Sequence, residues 1–150
     1  MCYEVQPEPA GVAEAVCRAE GRVDGPFTVV MGDCYFDAPL SDLPVRWAET
    51  GGPGAVLVEP AGPQEEQPMG LVAVDGTRGS RIFKDVWTGQ TKWRVCGAFL
   101  LPHAFFDEAA RTPVSSSGEY ELEDVVMRLI ERGASFEAIP YRGWRRNINT

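Results

Sequence analysis

An aspartate at the end of an apolar run is the residue of this chain best placed to do chemistry. The run covers residues 27–31 and is followed directly by Gly32 and Asp33. Its β-branched, apolar composition predicts a buried strand that delivers the carboxylate to its C-terminal edge. Ligands of open α/β sheets bind at that edge, and a single carboxylate there suits a divalent metal held against a phosphate. The alternative is a turn or helix-capping aspartate, which is common after strands.

The elements that must position this aspartate follow from periodicity and from turn residues. Helices are predicted at 11–19, 42–50, 103–111 and 122–132, and strands at 27–31, 55–59, 70–74, 81–83, 93–101 and 136–140. Strands separated by helices imply right-handed crossovers, so we expect an α/β, Rossmann-like fold with a mostly parallel sheet and flanking helices. The stretch 62–101 has strands without helices and predicts a β-rich insertion. The segment 143–150 is predicted to be an extended arm.

Composition limits the classes of protein to consider. A length of 150 residues suits one domain, and a net charge of −8 argues against binding to nucleic acid or to anionic membranes. That charge is compatible with one nucleotide, whose phosphates a metal can neutralise locally. Four cysteines without C-x-x-C spacing and a single histidine argue against zinc. With no apolar run approaching 18 residues and no signal peptide, we expect a cytoplasmic protein.

Several segments, in the right order, resemble motifs of the sugar-phosphate nucleotidylyltransferases, the enzymes that make nucleotide-diphosphate sugars. The base-binding pattern Q-x-x-P-x-G-x-A of that family is matched at Gln6, Pro9, Gly11 and Ala13. Its strand ending in Gly-Asp is matched at Gly32 and Asp33. Further similar segments surround Gly70, Gly97, Glu119 and Asn147. The resemblance covers nearly the whole chain.

The resemblance implies a reaction and a set of binding residues. A sugar 1-phosphate oxygen attacks the α-phosphorus of a nucleoside triphosphate, and pyrophosphate leaves. The nucleotide, dTTP or UTP, is assigned to Gln6, Pro9, Gly11, Ala13 and Gly32. The sugar 1-phosphate, most commonly that of glucose, is assigned to Gly70, Lys84, Gly97 and Glu119. A Mg²⁺ ion is assigned to Asp33 and Asn147.

Each of these assignments has a structural alternative. Gly11 also fits a helix N-cap, and Gly70 and Gly97 also fit a β-bulge or tight strand packing. Glu119 and Lys84 also fit solvated surface positions, and Asn147 fits a turn asparagine.

The sequence also departs from the family. No residues match its G-x-G-T-R-x-x-P-x-T loop, which carries the catalytic Arg and Lys, so no catalytic residue is assigned. Of the family's Glu-Lys-Pro motif, only Lys84 is found, one place early. We therefore expect residues 1–150 to form a truncated nucleotidyltransferase-like domain or a degenerate paralogue.

Two functions follow for such a domain. One is a nucleotidylyltransferase that is inactive without the phosphate loop. The other is a non-catalytic nucleotide- or sugar-phosphate-binding paralogue, or a subunit of an active homologue. Either is compatible with a homo-oligomer or with association with a full-length homologue. A glycosyltransferase with a related fold would carry an Asp-x-Asp motif, which the sequence lacks.

Overall fold

The structure is a computed structural model that describes residues 2–50, 52, 54–61, 71–75, 78–83 and 93–148. Its helices are α1 (Val12–Cys17), α2 (Asp42–Thr50), α3 (Ala104–Ala109) and α4 (Leu122–Glu131), with a 3₁₀ turn at Glu20–Arg22. Its strands are β1 (Phe27–Val30), β2 (Cys34–Phe36), β3 (Gly54–Pro60), β4 (Leu71–Asp75), β5 (Arg78–Phe83), β6 (Trp93–Leu101), β7 (Phe136–Pro140) and β8 (Arg145–Asn147). Among these residues, no helix is long and apolar enough to cross a membrane.

The main sheet has six strands in the order β1-β6-β3-β7-β5-β4. It is mixed, and the expectation of a mostly parallel sheet is wrong: in the described part of the chain, β3 and β7 pair in parallel and the other pairings are antiparallel. The cause is β6, which follows strands rather than a helix and lies antiparallel between β1 and β3. Because β6 opposes both neighbours, β1, β3 and β7 still run in one direction, as the helical crossovers predict.

The predicted β-rich insertion joins the main sheet. Strands β4 and β5 form a hairpin, and the sheet continues through the pairing of β5 with β7. The pairing of β4 with β6 closes a ring of pairings through β3 and β7. The hairpin therefore extends and curls one end of the sheet.

Helices cover both faces of the sheet. In β3 and β6, alternate side chains face opposite sides: Val56 and Phe99 enter one core cluster, while Leu57 and Ala98 enter the other. Residues of α1, α3 and α4 pack in the first cluster, and Leu43 of α2 lies in the second. This arrangement confirms the expected α/β fold with flanking helices, and it explains why β3 and β6 are almost continuously buried.

The segment predicted as an extended arm forms a small second sheet. Strand β8 pairs with β2 in an antiparallel ladder with Cys34 opposite Asn147 and Phe36 opposite Arg145. Neither strand is predicted by the sequence, because three residues are too few to show a period. This small sheet carries the C-terminal segment back to the end of β1.

Candidate functional site

The small sheet makes the backbones of Asp33 and Asn147 neighbours. Asp33 immediately precedes β2, and its backbone carbonyl accepts a hydrogen bond from Ile148 N at 2.7 Å. Cys34 is the strand partner of Asn147. The two residues are separated by more than a hundred positions in sequence, so only the fold makes them neighbours. Both side chains are half-buried.

The chemistry of this pair fits a hard cation. A carboxylate and an amide supply oxygen ligands, and Mg²⁺ is commonly held by one or two protein groups together with substrate phosphates and water. In the described part of the chain, no group of three or more His, Cys, Asp or Glu residues forms a metal cage.

The neighbouring thiol of Cys34 donates to the Asp33 carboxylate. Cys34 Sγ lies 3.4 Å from Asp33 Oδ1 and points its hydrogen bond at that carboxylate. Burial raises the pKa of the Cys34 thiol, the hydrogen bond from Arg145 lowers it, and Asp33 raises it again, so that the net shift is upward. The protonated Cys34 thiol is therefore the donor in its contact with Asp33.

A nearly buried ion pair fixes β8 to the main sheet. The side chain of Arg145 is 7% exposed, and its Nε and Nη2 donate to Glu59 Oε1 on β3 at 3.1 Å and 2.6 Å. Arg94 on β6 donates to the same oxygen. Burial lowers the pKa of Arg145, but the hydrogen bonds and charge of Glu59 outweigh it and the net shift is upward. Arg145 Nη1 also lies 3.7 Å from Cys34 Sγ, next to Asp33.

Asp37 holds the start of the same segment. Its carboxylate accepts a short hydrogen bond from Trp144 N, and its own N–H donates to Trp144 O at 3.1 Å. The Tyr141 hydroxyl lies 3.3 Å from Asp37 Oδ1 and accepts from Ala38 N at 2.8 Å. A Cβ on Gly143 would collide with Asp37 and Tyr141, so glycine permits this close approach.

Gly97, assigned to the sugar phosphate by resemblance, lies beside the Asp33 end of β1. Its φ of +81° is a backbone conformation that favours glycine, and the β3–β6 register shifts at this point. A Cβ there would lie 2.7 Å from Cys34 Sγ. The β-bulge and the tight packing that the sequence left open are therefore both present at Gly97.

A second group of predicted residues surrounds the start of α1. Gly11 is the N-cap of α1, with a φ of +105°, and a Cβ there would lie 2.6 Å from Tyr120 N. Tyr120 N donates to Ala10 O at 2.8 Å, and Ala13 N donates to Tyr120 O at 2.9 Å. The glycine is thus required by the backbone of Tyr120, a reason that the sequence does not reveal.

The remaining predicted residues differ in surroundings. Ala13 is buried in the core cluster that also contacts Met31, two residues before Asp33, so both groups adjoin one face of the sheet. Pro9 and Glu119 are exposed, and Glu119 precedes the Tyr120 contact. Gly32 is exposed, and a Cβ there would touch nothing within 4 Å. Gly70 and Lys84 lie outside the described residues.

Two surface cavities lie near these elements. One, of about 370 Å³, borders α1 and includes Ala13, Glu14 and Tyr120 in its lining. The other, of about 450 Å³, lies between α2 and β7 and contains none of the predicted site residues. Its charged rim includes Arg46, which pairs with Glu49 at 3.2 Å.

Sequence reasoning missed two of the residues that orient the site, Glu59 and Arg145, which have no local signature because each acts through a residue distant in sequence. Asp37 matches the aspartate that follows the Gly-Asp strand end in the family motif, but its contacts with Trp144 and Tyr141 depend on the fold. Glu14 carries a weak signal, since an acidic residue in the first turn of a helix is common for helix-dipole reasons alone.

The structure is a mixed α/β sheet with helices on both faces and a carboxylate, that of Asp33, just after its edge strand β1. Comparisons with known proteins agree with this class of fold. No family model matches the sequence. The chain is 29% identical over 149 residues to UTP–glucose-1-phosphate uridylyltransferase AglF of Haloferax volcanii, covering 99% of this chain and 61% of the relative. It is 28% identical over 148 residues to the low-salt glycan biosynthesis nucleotidyltransferase Agl11 of the same organism, covering 96% of this chain and 40% of the relative.

Solved structures show the same fold. A protein from Bacillus anthracis that is assigned as a glucose-1-phosphate thymidylyltransferase matches with a TM-score of 0.82 and 20% identity, over 97% of this chain and 58% of its own. A UDP-glucose pyrophosphorylase complexed with UDP-glucose matches with a TM-score of 0.81 and 17% identity, over 93% of this chain and 57% of its own. The resemblance to the sugar-phosphate nucleotidylyltransferases is confirmed. The chain spans 61% of the length of AglF.

Proposed function

We propose that this chain provides the nucleotide- and sugar-phosphate-binding part of a sugar-1-phosphate nucleotidylyltransferase. The reaction joins a sugar 1-phosphate oxygen to the α-phosphorus of a nucleoside triphosphate and breaks the bond from that phosphorus to the α–β bridging oxygen, so that the β- and γ-phosphates leave together as pyrophosphate. The relative AglF is named for UTP and glucose 1-phosphate. We propose these substrates, or dTTP in place of UTP, for the present chain.

The observation that carries the proposal is that the fold makes Asp33 and Asn147 backbone neighbours just after β1. Asp33 and Asn147 would hold Mg²⁺, which when bound neutralises charge on the phosphates. Phosphoryl chemistry of this kind depends on positioning and charge neutralisation rather than on covalent help from the protein. The ion pair of Arg145 with Glu59 supports the proposal because it fixes the segment that carries Asn147.

The other proposed contacts surround this point. Gln6 and Gly11 would face the base, and Gly97 would bring its backbone close to the sugar phosphate. The exposed carboxylate of Glu119 would accept hydrogen bonds from sugar hydroxyl groups. Its neighbour Tyr120 is bonded to the Gly11 segment, so the proposed base and sugar contacts sit on segments that are joined to each other.

A second candidate function is a non-catalytic binding paralogue or a subunit of an active homologue. It needs the proposed nucleotide and sugar-phosphate contacts but no phosphate loop, and none of the 150 residues matches that loop. Both candidates require nucleotide binding, so turnover is what separates them.

The test is release of pyrophosphate from UTP or dTTP with glucose 1-phosphate and Mg²⁺. We expect release near background from the 150-residue chain alone, and turnover from a fusion that places a strand and a glycine-rich Arg/Lys loop before Met1. Robust turnover by the chain alone would show that the loop is dispensable. A fusion that binds UTP but forms no nucleotide sugar would favour the binding paralogue.

A further inference from the structure

The side-chain amide of Gln6 is held in one orientation. Its Nε2 donates to the backbone carbonyl of Gly11 at 3.1 Å and to Glu14 Oε2 at 2.7 Å. A carbonyl oxygen and an ionised carboxylate can only accept hydrogen bonds. The amide nitrogen must therefore face both of them, since turning the amide over would set oxygen against oxygen twice.

The oxygen of the Gln6 amide is the end that remains available to a ligand. Gln6 is half-buried, and among the described residues Gln6 Oε1 receives no hydrogen bond. Both hydrogens of Nε2 are already used. Gln6 consequently offers a ligand an acceptor at Oε1 and has no donor left to offer.

Glu14 is in turn fixed from its other side. Arg18 follows Glu14 by four residues, about one helical turn, and donates from Nε to Glu14 Oε1 at 2.6 Å. The two carboxylate oxygens thus have separate partners, Arg18 for Oε1 and Gln6 for Oε2. This separation allows the contact with Gln6 to be tested apart from the charge pair.

We propose that Glu14 is a positioning residue that sets base specificity by fixing the Gln6 amide with its oxygen toward the nucleotide. An acceptor selects a base whose pairing edge presents a ring N–H, which uracil and thymine have at N3. Cytosine has an acceptor at N3, and its donor is the exocyclic amine, so it must shift in the site to bond Oε1. The inference rests on the proposed function, because that function places the base beside Gln6.

The experiment compares the binding of UTP and CTP, which share ribose and triphosphate, to the complete 150-residue protein by isothermal titration calorimetry. We expect the wild-type protein to bind UTP about tenfold more tightly than CTP, the effect of about one hydrogen bond. Glu14→Ala should reduce this ratio to about threefold or less, because the amide is then oriented by Gly11 O alone and turning it over sets one pair of oxygens together rather than two. Glu14→Gln supplies an amide that can face either end of the Gln6 amide, so it should lower the ratio to a similar degree.

Arg18→Ala is the matched control. It removes the charge pair of Glu14 but leaves the contact of Glu14 Oε2 with Gln6, so it should keep the preference for UTP. Loss of helix α1 would weaken UTP and CTP binding together, whereas loss of the Gln6 orientation changes their ratio. Glu14→Gln is a mild change that should also lower the preference, which keeps the test valid if Glu14→Ala fails to fold.

The outcomes separate this inference from the function on which it rests. If the wild-type protein binds neither nucleotide, the proposed function fails and the inference with it. If it binds UTP and CTP equally, or if Glu14→Ala keeps the full preference, the role of Glu14 is overturned while the proposed function stands. A loss of the preference in Arg18→Ala equal to that in Glu14→Ala would also overturn it.

Discussion

Asp33 is held by two different parts of the chain at once. Its backbone carbonyl bonds Ile148 N at 2.7 Å, and its carboxylate is 3.4 Å from Cys34 Sγ. The sequence predicts the strand end that carries Asp33 because an apolar run followed by Gly-Asp is a local pattern. It predicts Asn147 only through resemblance, because no local pattern links residues so far apart in sequence.

Gln6 and Gly11 show the same limit at the residue scale. Their residue types are visible in the sequence and match a base-binding pattern. The contacts that fix them, from Glu14 to the Gln6 amide and from the Tyr120 backbone to Gly11, depend on the folded chain. The sequence therefore gives only a general reason for a glycine at position 11, and its φ of +105° gives the specific one.

Cys96 gives a prediction about pH. Its side chain is fully buried, and burial raises the pKa of this thiol from 9.0 to about 12. In the unfolded chain the thiol loses its proton near pH 9, so above that pH the unfolded state binds fewer protons than the native state. The free energy of unfolding therefore falls as pH rises from 9 toward 12.

Cys96→Ala should make this alkaline loss of stability smaller. The measurement is the urea midpoint of each protein at about pH 8 and about pH 10, with the change between the two pH values compared. Equal changes in the wild-type protein and the variant would contradict the prediction. Comparing these changes, rather than the midpoints themselves, removes the loss of stability that the substitution causes at every pH.

At the scale of elements, strands β2 and β8 determine the site, and the sequence predicts neither. Each has three residues, and β8 consists of Arg145, Arg146 and Asn147, a composition unusual for a strand. An isolated pair of strands is marginally stable, so contacts to the main sheet must hold it. The ion pair of Arg145 with Glu59 is such a contact, whereas the bonds between Asp37 and Trp144 extend the β2–β8 ladder itself.

The ion pair of Arg145 with Glu59 can be tested by substitution. Arg145→Gln should lower the affinity of the UTP-bound protein for Mg²⁺ by about tenfold, because groups that orient metal ligands typically contribute that much. Arg94→Gln is the matched control, since Arg94 bonds the same oxygen of Glu59 but lies on β6. It should change the affinity by less than about threefold.

The measurement is a Mg²⁺ titration of UTP binding for the wild-type protein and both variants, with a melting curve for each. Similar losses of stability with different losses of Mg²⁺ affinity would support a positioning role for Arg145. If Arg94→Gln weakens Mg²⁺ binding as much as Arg145→Gln does, the ion pair acts through general stability alone.

At the scale of the whole molecule, the sequence predicts the layers of the fold better than the order of its strands. The buried runs of β3 and β6 and the amphipathic pattern of α4 are strong local signals, and the structure contains all three elements. The antiparallel insertion of β6 between β1 and β3 carries no such signal, because a strand buried on both faces has the same composition in either direction. The sequence therefore does not predict the mixed directions of the strands.

The central claim is that Asp33 helps to hold a Mg²⁺ ion against the phosphates of a bound nucleotide. Its most direct test is the dissociation constant of UTP with and without Mg²⁺, for the wild-type protein, Asp33→Ala and the control Asp107→Ala, which alters an exposed carboxylate on α3. We predict that Mg²⁺ tightens UTP binding by at least about tenfold in the wild-type protein and the control, and that Asp33→Ala abolishes this gain. UTP binding that is indifferent to Mg²⁺ in the wild-type protein, or a full Mg²⁺ gain in Asp33→Ala, would contradict the claim.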